Sequence, residues 1–349
     1  MSEEAEWWEP LVDHGWLPQF ILRRAIRQQL QSRLREISHK PMEELHADKM
    51  AFVARLKERP IAIHTDKANE QHYEVETGLY RLTLGKRLKY SSCLYPTGRE
   101  TLDEAEELML ASYVTKADVR EGQAILDLGC GWGSVSLYLA QRFPTSRITA
   151  FSNSATQKIY IDGQAKEQGL SNLTVVTGDV ATWDGFDRGA FDRVISVEMF
   201  EHMKNYAHLL QKVSRWLRPG GKLFVHVFCH RQHAYDFKPG DGWMSRYFFT
   251  GGTMPSSDLF LYFASRELVV EGHWLLSGTH YAQTCETWLS RLTQQQEEAL
   301  QHLRRMYGDE AEARRWYYRW RLFYLSCAEL FAWQGGSEWC VAHFLFSRP

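Results

Sequence analysis

Apolar and polar positions divide the chain into regions of different periodicity. Up to about residue 120 the pattern is mostly helical, and apolar residues recur every four positions at Leu22, Ile26, Leu30 and Leu34, with arginines on the opposite face. A basic helix that docks on a membrane and a surface helix packed on the fold both fit this pattern. The packed helix is favoured because the overall charge gives no further sign of a membrane partner.

The central part of the chain alternates strand and helix patterns at the spacing of βαβ units. Five strands are predicted, at 124–128, 147–151, 174–177, 191–197 and 221–228. A break at Arg-Pro-Gly-Gly, residues 218–221, separates the last of them from a predicted helix over 206–216. This alternation predicts a parallel sheet with helices on both faces and ligands at the carboxyl ends of the strands.

The alternation stops after residue 231. A segment rich in aromatic residues and glycine extends to about 272, two helical stretches follow at about 283–306 and 310–331, and an apolar strand is predicted over 339–346. We interpret the loops and helices of this part as a cap over the active site.

The first predicted strand ends in the turn Gly-Cys-Gly-Trp-Gly at 129–133, where glycine lets the backbone approach a ligand. A dinucleotide fold would require a third glycine where Ser134 stands, and an acid after the second strand, where 152–154 reads Ser-Asn-Ser. NAD and FAD are therefore disfavoured. The pattern instead resembles motif I of class I S-adenosylmethionine methyltransferases, which implies S-adenosylmethionine as the cofactor. Asp179 stands where that family places an acid for the adenine amino group, so a turn without a ligand is the weaker interpretation.

The strand over 191–197 is followed by Glu198, Glu201 and His202, spaced i, i+3 and i+4. On one helical turn these side chains would project from a common face. Neighbouring carboxylates raise each other's pKa, and an imidazole accepts a proton near neutral pH. Such a cluster can bind an ammonium, take its proton and hold the free amine for in-line methyl transfer. We therefore predict a catalytic cluster rather than separate surface or capping groups.

Composition narrows the class of partner. The net charge of −2 over 349 residues lacks the basic bias of nucleic-acid-binding proteins. The six cysteines form no Cys-x-x-Cys pair, so neither a metal site nor a disulfide framework is predicted. The start of the chain lacks the apolar core of a signal peptide, and no apolar run is long enough to span a bilayer. We expect a cytoplasmic enzyme with a small-molecule amine substrate, no nucleic-acid partner and no stable membrane insertion; a homodimer is left open.

From Tyr73 onward the chain resembles the cyclopropane fatty acid synthase superfamily of methyltransferases, in particular its coclaurine N-methyltransferase branch. The matching segments are 71–75, 88–93, the glycine turn, 197–206 and 320–346. The resemblance implies an α/β class I methyltransferase fold, Rossmann-like, with a seven-stranded and mostly parallel sheet. It implies a helical N-terminal region over 1–120 that covers the cofactor site, and a methyltransferase domain over 121–349 with a substrate cap inserted at about 231–335.

The same resemblance implies a set of site residues and an activity on small aromatic or arylalkyl, isoquinoline-like amines. The implied cofactor contacts are Tyr90, Ser91, Asp127, Gly129, Gly131, Asn153, Gln157, Asp179 and Val180. Among them, Asn153 and Gln157 would serve where other methyltransferases use an acid. The implied walls of an aromatic substrate pocket are Tyr73, Phe323, Phe331 and Trp333. Aromatic faces attract an ammonium, although ordinary core packing explains these four residues nearly as well.

A lipid methyltransferase is the alternative within this superfamily. Cyclopropane synthases hold a bicarbonate base with a cysteine, a glutamate, a histidine and a tyrosine. The glutamate is kept as Glu201, but the other three positions read Ser92, Val227 and Leu289. Only a one-residue shift would bring Cys93 and His226 into place, so the amine methyltransferase is preferred. An inactive regulatory protein would lose the acid–base cluster, and a nucleic-acid methyltransferase would be basic.

Overall fold

The computed structural model describes residues 6–63, 77–238, 240 and 242–349. The strands of this part of the chain are β1 (Ala124–Leu128), β2 (Arg147–Ser152), β3 (Leu173–Thr177), β4 (Phe191–Val197), β5 (Leu217–His230), β6 (Tyr235–Asp236), β7 (Thr253–Met254), β8 (Val269–Leu276) and β9 (Trp339–Ser347). Its α-helices are α1 (Glu9–Asp13), α2 (Gln19–Ser38), α3 (Met42–Glu58), α4 (Thr77–Thr83), α5 (Leu102–Lys116), α6 (Ser134–Arg142), α7 (Ala155–Glu167), α8 (Tyr206–Trp216), α9 (Trp243–Tyr247), α10 (Gly278–Gln294), α11 (Gln296–Tyr307) and α12 (Glu310–Ala332).

Seven of these strands form one sheet in the order β3-β2-β1-β4-β5-β9-β8. Strands β1 to β5 are parallel, whereas β9 runs antiparallel to both β5 and β8. Strand β4 is buried over nearly its whole length, as a parallel strand covered by helices on both faces must be. The predicted class I methyltransferase fold, with its seven-stranded and mostly parallel sheet, is confirmed.

The observed boundaries of helices and strands agree best with the predicted ones where the hydrophobic pattern of the sequence is regular. The predicted helix over 206–216 is α8 (Tyr206–Trp216), and β1 to β4 lie within one residue of the predicted strands. Strand β5 begins at Leu217, earlier than the predicted 221, but the break predicted at 218–221 appears as an interruption of its pairing with β4, which goes from Phe191–Leu217 directly to Arg193–Lys222. The stretch predicted at 283–306 is two helices, which meet at Gln295.

Strand β8 was missed by the sequence interpretation, which placed this region in an irregular cap. It lies at the edge of the sheet, and its residues are mostly exposed rather than alternately buried. A register shift between Val270 and Gly272 further breaks the period of two that identifies a strand.

Helix α2 packs on the rest of the fold, as favoured from its periodicity. Ile26 is buried, and Leu22, Leu30 and Leu34 pack against the same hydrophobic cluster. On its flank, the guanidinium of Arg23 donates to Glu286 on α10 and to Glu329 on α12. The helix is therefore joined to α10 and α12 by apolar contacts and by ion pairs.

Candidate active site

The glycine turn between β1 and α6 forms one wall of a cleft. Gly129, Gly131 and Gly133 have φ values of 82°, 52° and 81°, a backbone conformation that side chains rarely adopt. A Cβ atom added at Gly131 would meet no described atom within 4 Å. The space in front of this glycine is thus open to the cleft, and any side chain there would occupy it.

Residues from the ends of β1, β2 and β3 line this cleft. Six of the predicted cofactor contacts are among them: Gly129, Gly131, Asn153, Gln157, Asp179 and Val180. The Gln157 Oε1 atom accepts a hydrogen bond of 2.6 Å from Ser152, while its Nε2 is buried without a partner in the described part of the chain. A buried donor without a partner is costly unless a ligand supplies the acceptor. The cleft therefore fits S-adenosylmethionine, which offers polar groups along its length.

Three predicted cofactor contacts lie outside this lining. Asp127 is buried beneath the turn and accepts a 2.5 Å hydrogen bond from Ser136 in α6, and burial raises its pKa to about 7. The Ser91 hydroxyl accepts a hydrogen bond of 2.6 Å from the buried Lys89 ammonium. Tyr90 lines a second cavity. Their contact with the cofactor stays a prediction; in the structure Asp127 fixes the start of the helix that follows the turn.

The second cavity, of about 1100 Å³, is lined by α2, α10 and α12 together with Glu198 and Phe228 at the edge of the sheet. Phe323 and Phe331 line it, as predicted, whereas Trp333 is outside the lining and Tyr73 lies outside the described residues. Helix α2 contributes a large share of the wall and closes the cavity on one side. His202 lines both the cofactor cleft and this cavity, so it lies where the two spaces meet.

The predicted common face of Glu198, Glu201 and His202 is wrong. Glu198 has a φ of 49°, in the left-handed region, and only residues 200–202 form a short 3₁₀ helix. The Glu198 carboxylate points toward Ser92, while Glu201 points toward the backbone of Phe228 on β5. A left-handed residue other than glycine at a strand end is a strained conformation of the kind that occurs at active sites.

The Glu198 carboxylate is held by three donors. Its Oε1 accepts from the backbone N–H of Ser92 at 2.9 Å and lies 3.1 Å from Nε2 of His226, and its Oε2 accepts from the Tyr281 hydroxyl at 2.6 Å. Burial nevertheless raises the pKa of Glu198 to about 7, against the lowering effect of Lys89 and Tyr281. The group can therefore ionise near neutral pH, and it lines the second cavity.

Glu201 differs from Glu198 in its surroundings. It is fully buried, its Oε1 accepts 3.0 Å from the N–H of Phe228, and its Oε2 has no hydrogen-bond partner within the described ranges. Burial, followed by the charge of Glu198, raises the pKa of Glu201 well above its ordinary value. Of the two neighbouring carboxyl groups, Glu201 is therefore the one whose neutral form is favoured more strongly.

Tyr281 was missed by the sequence interpretation, which expected a tyrosine at the position of Leu289. Tyr281 precedes Trp288 by seven positions, two turns of α10, so both residues lie on the same face of the helix. The seven-residue spacing from Trp288 could therefore have identified Tyr281 from the sequence. The motif after His202 proves structural: Lys204 bonds Asp236 at 2.7 Å, and Asn205 caps α8.

A doubly wound sheet with a glycine turn, an acid after the third strand and a carboxyl–histidine cluster defines a class I S-adenosylmethionine-dependent methyltransferase. Residues 62–336 match the mycolic acid cyclopropane synthetase family, and the chain belongs to this family.

Three comparisons locate the chain within the family. It is 38% identical to (S)-coclaurine N-methyltransferase of Thalictrum flavum subsp. glaucum, over 97% of this chain and 94% of that protein. A crystal structure of coclaurine N-methyltransferase bound to N-methylheliamine and SAH superposes with a TM-score of 0.94 at 34% identity, covering 97% and 98% of the two chains. Cyclopropane-fatty-acyl-phospholipid synthase of Escherichia coli (strain K12) is 28% identical over 64% of this chain and 55% of that protein.

The chain is therefore an S-adenosylmethionine-dependent N-methyltransferase. Across residues 6–63, 77–238, 240 and 242–349, no helix combines the length and the apolar character that crossing a membrane requires.

Proposed function

We propose that this enzyme methylates the nitrogen of a small aromatic or arylalkyl, isoquinoline-like amine. The observation that carries the proposal is the position of His202, where the cofactor cleft meets an aromatic cavity that also contains the Glu198 carboxylate. A basic nitrogen at this junction would lie beside a proton acceptor and an anion. Relatives named for coclaurine methylation share this architecture over nearly the whole chain.

The walls of the cavity suit a planar ring system. The rings of Tyr281 and Phe331, which both line the cavity, stack with centroids 4.3 Å apart, and Phe323 lines it while stacked at 4.3 Å on the buried Phe248. Such faces pack against flat apolar groups and attract a cation through their quadrupole. An amine attached to an aromatic ring would use both properties.

The protein residues would then act on the amine in sequence. Bound S-adenosylmethionine supplies an electrophilic methyl group on its sulfonium. The Glu198 carboxylate holds the substrate ammonium by charge attraction, and a ring nitrogen of His202 takes its proton. The buried Glu201, as a neutral acid, adds no second negative charge beside Glu198. Fixing the free lone pair toward the cleft lowers the entropic barrier of the in-line displacement.

The lipid alternative is weakened by what surrounds Glu198. The resemblance assigns a cysteine, a glutamate, a histidine and a tyrosine to the bicarbonate of cyclopropane synthases. Here a backbone N–H, the His226 ring and the Tyr281 hydroxyl converge on the Glu198 carboxylate instead. The Glu198 side chain thus accepts the hydrogen bonds that a bound anion would need. Cys93 donates its N–H to Thr284 and does not complete an anion site.

A paired turnover assay with methyl-labelled S-adenosylmethionine tests the proposal. One arm contains a panel of amines that includes tetrahydroisoquinolines, and the other contains unsaturated phospholipid vesicles. We expect label in the separated amine product and none in lipid. Label in lipid alone would overturn the assignment. The variant Gly131→Val serves as a control, since it fills the cofactor cleft and should abolish transfer in both arms.

Three further expectations remain proposals of their own. We infer a cytoplasmic location, to be tested by cell fractionation, and we keep the homodimer as a hypothesis for light scattering. The division into residues 1–120 and 121–349, with a cap at about 231–335, is also a hypothesis. The contribution of α2 to the cavity supports a substrate-covering role for the first part of the chain.

A further inference from the structure

A row of hydrogen-bonded side chains leads away from Glu198, and none of the residues beyond Glu198 lines the substrate cavity. Nε2 of His226 lies 3.1 Å from the Glu198 carboxylate, and Nδ1 of the same ring lies 2.8 Å from Nε2 of His343. Nδ1 of His343 in turn lies 2.7 Å from Nζ of Lys116. Each imidazole therefore uses both ring nitrogens within the row.

The three residues come from different elements that meet in the sheet. His226 on β5 and His343 on β9 are direct partners in the antiparallel register, and both are fully buried. Lys116 is the last residue of α5 and is half-buried, with its Nζ 5.3 Å from the centroid of the Trp274 ring. The row thus connects the active-site carboxylate with a partly exposed cation.

Donor and acceptor chemistry gives this row a single direction. A lysine ammonium has donors and no acceptor, so Nδ1 of His343 must accept from it. A neutral imidazole that accepts at one nitrogen carries its proton on the other, so Nε2 of His343 donates to Nδ1 of His226. By the same reasoning Nε2 of His226 carries a proton and donates to Glu198. The ammonium at one end of the row and the ionised Glu198 carboxylate at the other therefore favour the same tautomer in both buried rings.

We propose that Lys116, His343 and His226 are positioning residues that form a tautomer-setting relay, which presents an N–H to Oε1 of Glu198. This donor holds Glu198 as an acceptor, the state in which it can bind a substrate ammonium. The inference deepens the proposed function and rests on it only for its catalytic consequence. The tautomers themselves depend on the fold alone.

The other charged and titratable groups around the relay are compatible with it. These groups are Lys89, Tyr113, Glu201 and Tyr281. The Lys89 ammonium donates to Ser91 and to the carbonyl of Ser92, away from the rings. Burial, with the nearby lysines, keeps the pKa of His226 well below its ordinary value, so the ring is neutral and its tautomer matters.

Tyr113 supplies a second support for the same tautomer. Its hydroxyl lies 2.9 Å from Nδ1 of His226, and as a donor it shares the single lone pair of that nitrogen with the N–H of His343. Loss of Lys116 alone should therefore abolish the tautomer preference of His343 and only weaken that of His226. Loss of both Lys116 and the Tyr113 hydroxyl should weaken the tautomer preference of both rings further.

Nitrogen-15 NMR of histidine-labelled enzyme, without substrate or cofactor, tests the relay directly. Long-range proton–nitrogen correlations distinguish the two tautomers, and the variants His226→Gln and His343→Gln assign the signals. At neutral pH we expect the Nε2–H form in both rings of the wild type. Lys116→Met should give a tautomer mixture at His343, and Lys116→Arg should restore the single form. The exposed Lys166→Met is a matched control that should leave both rings unchanged.

Two NMR outcomes would overturn the relay: an Nδ1–H form in either ring of the wild type, or a Lys116→Met spectrum identical to that of the wild type. Burial lowers the pKa of Lys116 to about 8. The wild-type preference should therefore weaken as the pH rises through about 8, since a neutral amine can also accept, whereas Lys116→Met should show no such change.

Turnover gives the second readout. Lys116→Met and His343→Leu should each lower amine methylation at neutral pH by about tenfold, equivalent to ~1.4 kcal/mol of transition-state stabilisation. His343→Gln should retain most activity, because its amide accepts from Lys116 and donates to His226. Equal loss in His343→Gln and His343→Leu would refute the relay. Normal tautomers without any labelled amine would instead refute the proposed substrate class alone.

Discussion

Removal of one hydroxyl from the active site should move the pH dependence of the enzyme. In Tyr281→Phe the ring remains stacked on Phe331, but the 2.6 Å hydrogen bond to Oε2 of Glu198 is lost. A hydrogen bond to a charged group contributes roughly 1.5–3 kcal/mol. At about 1.36 kcal/mol for each pKa unit, its loss should raise the pKa of Glu198 from about 7 by roughly one to two units.

The sign follows from the role of the carboxylate. Glu198 binds the ammonium only when ionised, so kcat/KM of the wild type should rise as the pH passes through about 7. In Tyr281→Phe the same rise should occur roughly one to two units higher, with a loss of roughly five- to fiftyfold at neutral pH. At alkaline pH the two profiles should converge. The assay is kcat/KM for a methylated amine over a range of pH, with labelled S-adenosylmethionine.

Tyr262→Phe is the matched control, because its hydroxyl donates to Asp258 and neither residue lines the cofactor cleft or the second cavity. It should leave the profile unchanged. The groups that also face Glu198, namely Lys89, His226 and Glu201, are untouched in both variants. An unshifted rise in Tyr281→Phe, or an equal loss at every pH, would refute the reasoning.

Three further predictions address the cofactor cleft, the junction and the helix over the cavity. Gly131→Val should abolish S-adenosylmethionine binding in calorimetry, because its side chain enters the open cleft; retained affinity would place the cofactor elsewhere. His202→Ala should lower kcat by roughly a hundredfold or more while cofactor affinity stays nearly unchanged, and a parallel loss of both would contradict a role as base. Glu329→Gln removes the carboxylate that accepts from Arg23 and Arg27 on α2, so KM for the amine should rise about threefold. An unchanged KM with unchanged salt dependence would exclude a contribution of these ion pairs.

Local patterns determined much of the sheet and the cofactor turn. The strands β1 to β4 and helix α8 were predictable because continuous apolar runs and amphipathic spacing follow from burial. The glycine turn was predictable because φ values such as the 82° of Gly129 favour glycine. Within the predicted cluster the residue types were accessible to sequence reasoning, but the orientation of Glu198 was not, since its left-handed conformation breaks the helical spacing that the prediction assumed.

Only the tertiary structure decided which groups meet around that cluster. Tyr281 lies 83 positions from Glu198, and Lys116 lies 227 positions from His343, yet each pair is within hydrogen-bond distance. No periodicity links such residues, because their contact follows from the crossing of whole elements in the sheet and cap. The same holds for α2: its amphipathic pattern predicted a packed helix, but the cavity that it covers exists only once the cap has folded against the strand ends. Sequence thus specified the elements and the chemical groups, whereas long-range packing set their protonation, their partners and the shape of the substrate site.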